Sequence, residues 1–283
     1  MLNSEIAIRD PFVVVENDKY YLIGTRNANF GQNTNGFDVY VGTDLEHWSR
    51  PIEVFNSDKF GLNKGANWAP EIHKYKDKYY IFATFEQPNG FRGTYSLVSN
   101  SILGPFEPCS EKALTPDEWW SLDGTLFVDD NDVPYLIFCH EHVQIMNGTV
   151  CYIQLNEDLS AAVSEPKLMF YGSDANGAVG NEDGRYVTDG PFMYRGDKDR
   201  LYMIWSTIVN GQYYQCLAYS DNGKIDGNWI QTEPIFKSDG GHGMLFRDLG
   251  GRLMLTLHCP NIQPLERPAF FELSDDGSSL KII

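Results

Sequence analysis

Residues 10–25 read DPFVVVENDKYYLIGT, and this stretch decides the fold because the chain repeats its pattern four more times. The copies are APEIHKYKDKYYIFAT at 69–84, DGTLFVDDNDVPYLIFCH at 123–140, DGPFMYRGDKDRLYMIWS at 189–206 and HGMLFRDLGGRLMLTLH at 242–258. Each is an apolar run, a cluster of turn residues and a second apolar or aromatic run, the pattern of a β-hairpin. The second runs begin at Tyr20, Tyr79, Tyr135, Leu201 and Leu253, so the unit recurs every 52 to 66 residues. A third strand follows each hairpin and ends at Asp44, Asn100, Asp158, Asp221 or Asp275. Candidate outer strands lie in LEHWSRPIEVF, LGPFEP, SEPKLMF and NWIQTEPIF, with LKII at the C-terminus closing the last unit. No segment holds a helical period long enough to predict a helix. One twisted sheet of three or four strands cannot bury both of its faces, whereas a ring of them can. The repeat therefore predicts an all-β chain folded as a five-bladed β-propeller, with residues 1–283 forming a single domain.

Composition narrows the function. The chain of 283 residues carries 22 Lys and Arg against 39 Asp and Glu, a formal net charge of −17, and no local basic patch offsets it. A polyanion would be repelled, so nucleic acid is not an expected partner. No stretch approaches the roughly 20 apolar residues of a membrane span. The N-terminus lacks a basic segment followed by an apolar run, and the five cysteines form no CxxC pair; together these lead us to expect reduced thiols and a cytoplasmic protein. Oligomeric state is not readable from the sequence.

Propeller geometry tells where chemistry should gather. The innermost strand of each blade runs along the central channel, so the first residues of all five meet at one mouth. These are Asp10, Ala69-Pro70-Glu71, Asp123, Asp189 and His242. The second strands run back, returning Thr25, Thr84 with Glu86, His140 with Glu141, Ser206 and His258 to the same mouth. An Asp before Pro or Gly often only initiates a turn. Here, however, the hairpin tips already have their own turn residues, and Asp10, Asp123 and Asp189 instead start inner strands beside a channel where charge is costly. Paired carboxylates at an open mouth suit glycoside hydrolysis, in which one carboxylate activates water and a protonated one donates to the leaving oxygen. Trp68, Trp119 and Trp120 stand near inner-strand starts, positioned either to stack on sugar rings or to pack between blades. Candidate sugar-binding residues are thus Trp68, Glu71, Trp119, Trp120, Thr25, Ser206 and His258. His140 and His142 have the i, i+2 spacing of metal ligands on a strand, without an identifiable third ligand.

These motifs in this order resemble glycoside hydrolase family 43, five-bladed propellers acting on arabinose- or xylose-containing glycans. Arg9-Asp10-Pro11 matches the motif whose Asp is the general base, and Trp68-Ala69-Pro70 matches the blade-two motif. Leu122-Asp123-Gly124 matches the blade-three site whose Asp orients the acid and tunes its pKa. Blade four of the family carries Glu-Gly-Pro with Glu as general acid; here the triplet is Asp189-Gly190-Pro191, whose carboxylate is shorter by ~1.5 Å, about one C–C bond. Either Asp189 with a shifted backbone or substrate, or Glu141 at the return end of blade three, then supplies the acid. His242 matches a channel histidine often found near a bound calcium ion, although the chemistry itself requires no cofactor. The resemblance implies an inverting glycosidase that removes terminal arabinose or xylose from oligosaccharides. Alternatives are a sugar-binding propeller that has lost its acid, or a related five-bladed enzyme acting on another glycoside, by hydrolysis or phosphorolysis. A phosphorolytic site would need a basic cluster, for which Arg9, Arg26 and Arg92 are candidates. Loops 27–35, 86–93 and 173–185 would set substrate choice, and two of them look long enough to close the mouth for exo action. Protein-interaction propellers carry Gly-His and Trp-Asp repeat signatures that are absent here.

Overall fold

A computed structural model of the protein describes residues 1–27, 34–62 and 65–283. Five four-stranded antiparallel sheets, each made of consecutive strands, form the blades of a five-bladed propeller. Blade one holds β1 (Ile8–Glu16), β2 (Lys19–Arg26), β3 (Phe37–Gly42) and β4 (Ile52–Phe55). Blade two holds β5 (Asn67–Tyr75), β6 (Lys78–Glu86), β7 (Arg92–Ser99) and β8 (Glu107–Pro108). Blade three holds β9 (Ser121–Val128), β10 (Pro134–His140), β11 (Thr149–Gln154) and β12 (Lys167–Tyr171), with the short helix α1 (His142–Ile145) between β10 and β11. Blade four holds β13 (Asp189–Arg195), β14 (Leu201–Val209), β15 (Gln212–Ser220) and β16 (Trp229–Gln231). Blade five holds β17 (Gly241–Arg247), β18 (Leu253–Cys259), β19 (Arg267–Asp275) and β20 (Leu280–Ile282). All five expected outer strands form, the last from LKII at the C-terminus.

Burial follows the repeat. The second strands are apolar because both of their faces meet neighbouring blades: Leu22, Ile23, Ile81, Phe82, Leu136, Ile137, Ile204, Trp205 and Leu255 are fully buried. The ring closes without a shared sheet. β1 packs against β17 and β18, the Tyr20 hydroxyl accepts the Leu249 N–H at 3.0 Å, and Arg267 donates to the Ser4 carbonyl at 2.7 Å. Trp48 stacks on Phe270 across the same seam.

One backbone feature, repeated in every blade, builds the mouth. Asp10, Ala69, Asp123, Gly190 and His242 all sit in the left-handed region, with φ of 53°, 46°, 57°, 51° and 50°. Strand register slips at each of these points, the mark of a β-bulge that re-aims a side chain. Such conformations are costly for residues with a Cβ and persist where surrounding bonds fix them. Four of the five N–H groups are fixed by the second strand of the preceding blade. Ala69 donates to Thr25 Oγ1 at 2.6 Å, Asp123 to Thr84 Oγ1 at 2.9 Å, His242 to Ser206 Oγ at 2.7 Å, and Asp10 to His258 Nδ1 at 3.2 Å. The fifth breaks the pattern. Cys139 takes the corresponding place in blade three, paired with Leu122 as Thr25 is with Arg9, and a thiol is a weak acceptor. The Gly190 N–H instead donates to Asp123 Oδ2 at 3.0 Å.

Candidate active site

The carboxylates expected at the mouth do meet there. A cavity of about 350 Å³ is walled by Asp10, Asp123, Asp189, Tyr213, His242 and Trp68. Arg9, Thr25, Arg26 and Gln263 complete much of its rim. The bulge register refines one expectation: Gly190, not Asp189, is the counterpart of Asp10 and Asp123. Asp189 stands one residue earlier, opposite Ser206, where blade one places Arg9 opposite Thr25. It reaches the cavity wall from the strand edge and stays partly exposed, whereas Asp10 and Asp123 are buried.

Asp10 is held ionised. Burial opposes its charge, but His242 and Arg9 favour it, as does the Thr25 hydroxyl that donates to Oδ2 at 2.6 Å; the net effect lowers its pKa below the usual carboxylate range. Thr25 is thereby fully engaged, donating to Asp10 while accepting from Ala69. His258 is neutral, because burial pushes its pKa down to about 3. Its Nδ1 accepts the Asp10 N–H, so the ring proton sits on Nε2, 3.1 Å from Asn261 Oδ1. His242 Nδ1 lies 3.2 Å from Asp10 Oδ1 and 3.6 Å from Asp123 Oδ2, bridging the two acids.

The other two aspartates move the opposite way. Burial first, then the charge of Asp10, pushes Asp123 well above the usual range, against the pull of the Gly190 N–H. Burial, then the charge of Asp123, pushes Asp189 up to about 7. As a coupled pair they retain a proton into the neutral range while Asp10 is ionised. Tyr213 Oη donates to Asp189 Oδ2 at 3.1 Å.

Glu141 lies outside this wall. Its carboxylate is 2.7 Å from Arg92 Nη2, and burial pushes its pKa up to about 7 against that attraction. Arg92 itself is held between Trp68 and Trp120, its guanidinium carbon 5.0 Å and 4.6 Å from their ring centroids.

Several expected sugar contacts are placed elsewhere. Ser206 and His258 are fully buried and inaccessible to a ligand; they hold the backbones of His242 and Asp10 instead. Glu71 is buried in the channel, its Oε2 2.8 Å from His73 Nε2. Trp119 stacks on the His140 ring at 4.1 Å and packs on Phe138, so it follows the packing reading; Trp120 stands behind Arg92. Only Trp68, 37 % exposed, and Thr25 line the cavity. His140 donates from Nε2 to Gln144 Oε1, 2.7 Å away, rather than meeting His142 at a metal.

Calcium takes six to eight oxygen ligands. Among the described residues no three His, Cys, Asp or Glu side chains are arranged to hold a metal ion, and the two carboxylates nearest His242 face its Nδ1. The residues around His242 therefore do not make a calcium site by themselves. The three candidate phosphate-binding arginines are each paired with acids: Arg9 with Glu266 at 2.8 Å, Arg26 with Asp38 at 2.6 Å and Glu53 at 3.1 Å, and Arg92 with Glu141. Each of these positive charges is thereby matched by an acid. Most of the loop 27–35 lies outside the described residues, and neither 86–93 nor 173–185 contributes to the cavity wall.

A model of glycosyl hydrolases family 43 matches residues 4–273. The chain belongs to this family. A crystal structure of an endo-arabinase from Bacteroides thetaiotaomicron VPI-5482 is 36 % identical, with a TM-score of 0.89 over 98 % of this chain and 97 % of that one. An endo-1,4-beta-xylanase from the same organism shares the fold at 22 % identity, with a TM-score of 0.81 over 100 % of this chain and 96 % of that one. An alpha-L-arabinofuranosidase from Lactobacillus brevis does so at 16 % identity, with a TM-score of 0.78 over 99 % and 95 %. No curated protein matches the chain. As a family 43 member the protein is a glycosidase with a carbohydrate substrate. Tyr213 is a site residue outside the sequence-based expectation, although Asn210-Gly211 just before it is a two-residue hairpin signal that turns the chain at the mouth.

Proposed function

We infer that this protein hydrolyses α-L-arabinofuranosyl linkages by a single displacement with inversion. The observation that carries the reading is the cavity wall itself. It sets an ionised Asp10 from blade one against the proton-retaining pair of Asp123 and Asp189 from the non-adjacent blades three and four. Inverting pairs stand ~6.5–9.5 Å apart so that a water fits between them. In this reading Asp10 takes a proton from the attacking water, Asp189 protonates the leaving oxygen, and Asp123 keeps the acid protonated. Asp189 is favoured over Glu141 as the acid because it is on the wall, while Glu141 is committed to Arg92.

Arabinose is favoured over xylose by the similarity to the endo-arabinase. Cleavage within a chain is favoured over removal of terminal sugars by the same similarity. Incubation with linear 1,5-α-arabinan, xylan and the 4-nitrophenyl glycosides of arabinofuranose and xylopyranose tests this reading. The expected result is release of short arabino-oligosaccharides from arabinan with little action on xylan. Release of monosaccharide alone would restore the terminal-sugar reading, and sugar binding without release from any substrate would make the protein a binding propeller.

A further inference from the structure

Tyr213 enters the cavity from the start of β15 and is the sole hydrogen-bond partner of the Asp189 carboxyl among the described residues, at 3.1 Å on Oδ2. Its ring is held on several sides. It stacks on the His258 ring at a centroid distance of 5.6 Å and an interplanar angle of 20°. Its backbone N–H donates to Asp239 Oδ1 at 3.2 Å, and its carbonyl accepts the Gly240 N–H at 2.9 Å. Gly241 leaves room for the ring: a Cβ there would stand 2.7 Å from Tyr213 Cε1. Tyr213 is 2 % exposed, so its hydroxyl is fixed before any substrate arrives. A donor fixed on one oxygen of a carboxyl also settles which oxygen keeps the acid's proton.

We propose that Tyr213 is a positioning residue that holds Asp189 Oδ2 and thereby presents the protonated Oδ1 to the leaving oxygen of the glycoside. This inference rests on the reading of Asp189 as the acid. Proton transfer needs heavy atoms roughly 2.6–3.2 Å apart, so a carboxyl free to rotate would spend much of its time out of reach. The water oxygen bonds to the anomeric carbon as the bond to the glycosidic oxygen breaks; the Oδ1 proton goes to the glycosidic oxygen, and the proton lost from water goes to Asp10.

Asp189 is also faced by Asp123 and Cys139 of blade three, Asp10 of blade one, His242 of blade five and Glu141. None of these groups donates a hydrogen bond to its carboxyl, whereas Tyr213 does. A donated hydrogen bond favours the ionised form, so its removal raises the pKa of Asp189 and moves the alkaline limb of activity to higher pH.

The test compares Tyr213→Phe with Asp189→Asn on an arabino-oligosaccharide, whose leaving group needs protonation, and on a 2,4-dinitrophenyl arabinofuranoside, whose leaving group does not. The expected result for Tyr213→Phe is a loss of about tenfold in kcat on the oligosaccharide, part of the 10²–10⁴ that general acid catalysis supplies, with much less on the aryl glycoside and an alkaline limb at higher pH. Equal loss on both substrates with an unmoved limb, while Asp189→Asn shows the leaving-group split, overturns the positioning role alone. Absence of that split in Asp189→Asn overturns the acid assignment and this inference with it.

Discussion

Asp10→Asn is expected to lower kcat by about 10²–10⁴-fold on every glycoside, whatever its leaving group, because the base acts on the attacking water. Shape is preserved. The amide oxygen still accepts from Thr25, and the Asp10 N–H still donates to His258 Nδ1. What disappears is the negative charge that His242 and Arg9 hold ionised within a buried site. Circular dichroism and thermal melting of the variant should match the parent protein, and affinity for an arabino-oligosaccharide measured by calorimetry should persist. Azide, an anion that needs no base, should restore turnover with formation of a glycosyl azide. Turnover retained in the folded variant without azide would remove Asp10 from the mechanism.

Asp189→Asn should lose a comparable factor, about 10²–10⁴-fold on oligosaccharides, but only a small part of it on a dinitrophenyl glycoside. Glu141→Gln should lack that contrast, because Glu141 serves Arg92 and the wall behind Trp68. The pH profile supplies an independent check. A general acid works only while protonated, and burial and the charge of Asp123 raise Asp189 to about 7, so activity should hold below that value and fall as pH rises through it. The base is lowered, so the acid limb should lie below the usual carboxylate range. Asp189→Asn should abolish the alkaline limb. A leaving-group contrast in Glu141→Gln instead would transfer the acid role to blade three.

The architecture was legible because a hairpin repeat is a local signal: alternating apolar runs and turn residues mark every blade, and even short outer strands such as Glu107–Pro108 fall in the expected segments. Asp10 and Asp123 were legible at the mouth for the same reason. What eluded the sequence depended on register and packing. A one-residue slip separates Asp189 from the bulge position that Gly190 fills; a Cβ there would stand 2.6 Å from the His242 ring. Ser206 and His258 return to the mouth as expected, yet an unsatisfied N–H in the next blade claims each of them. In blade three the returning residue in that register is Cys139 rather than His140, and its poor acceptor turns the Gly190 N–H onto Asp123. Trp119 and Trp120 are adjacent in sequence but part company, one stacking on His140 and the other on Arg92. No pattern of residue types encodes that choice.

The most direct test is the configuration of the first sugar released. Proton NMR of an arabino-oligosaccharide digest, recorded before mutarotation, should show the β-anomer of the new reducing end appearing first, as inversion of an α-linkage by Asp10-activated water requires. Prior appearance of the α-anomer would mean retention through a covalent intermediate and would contradict the account.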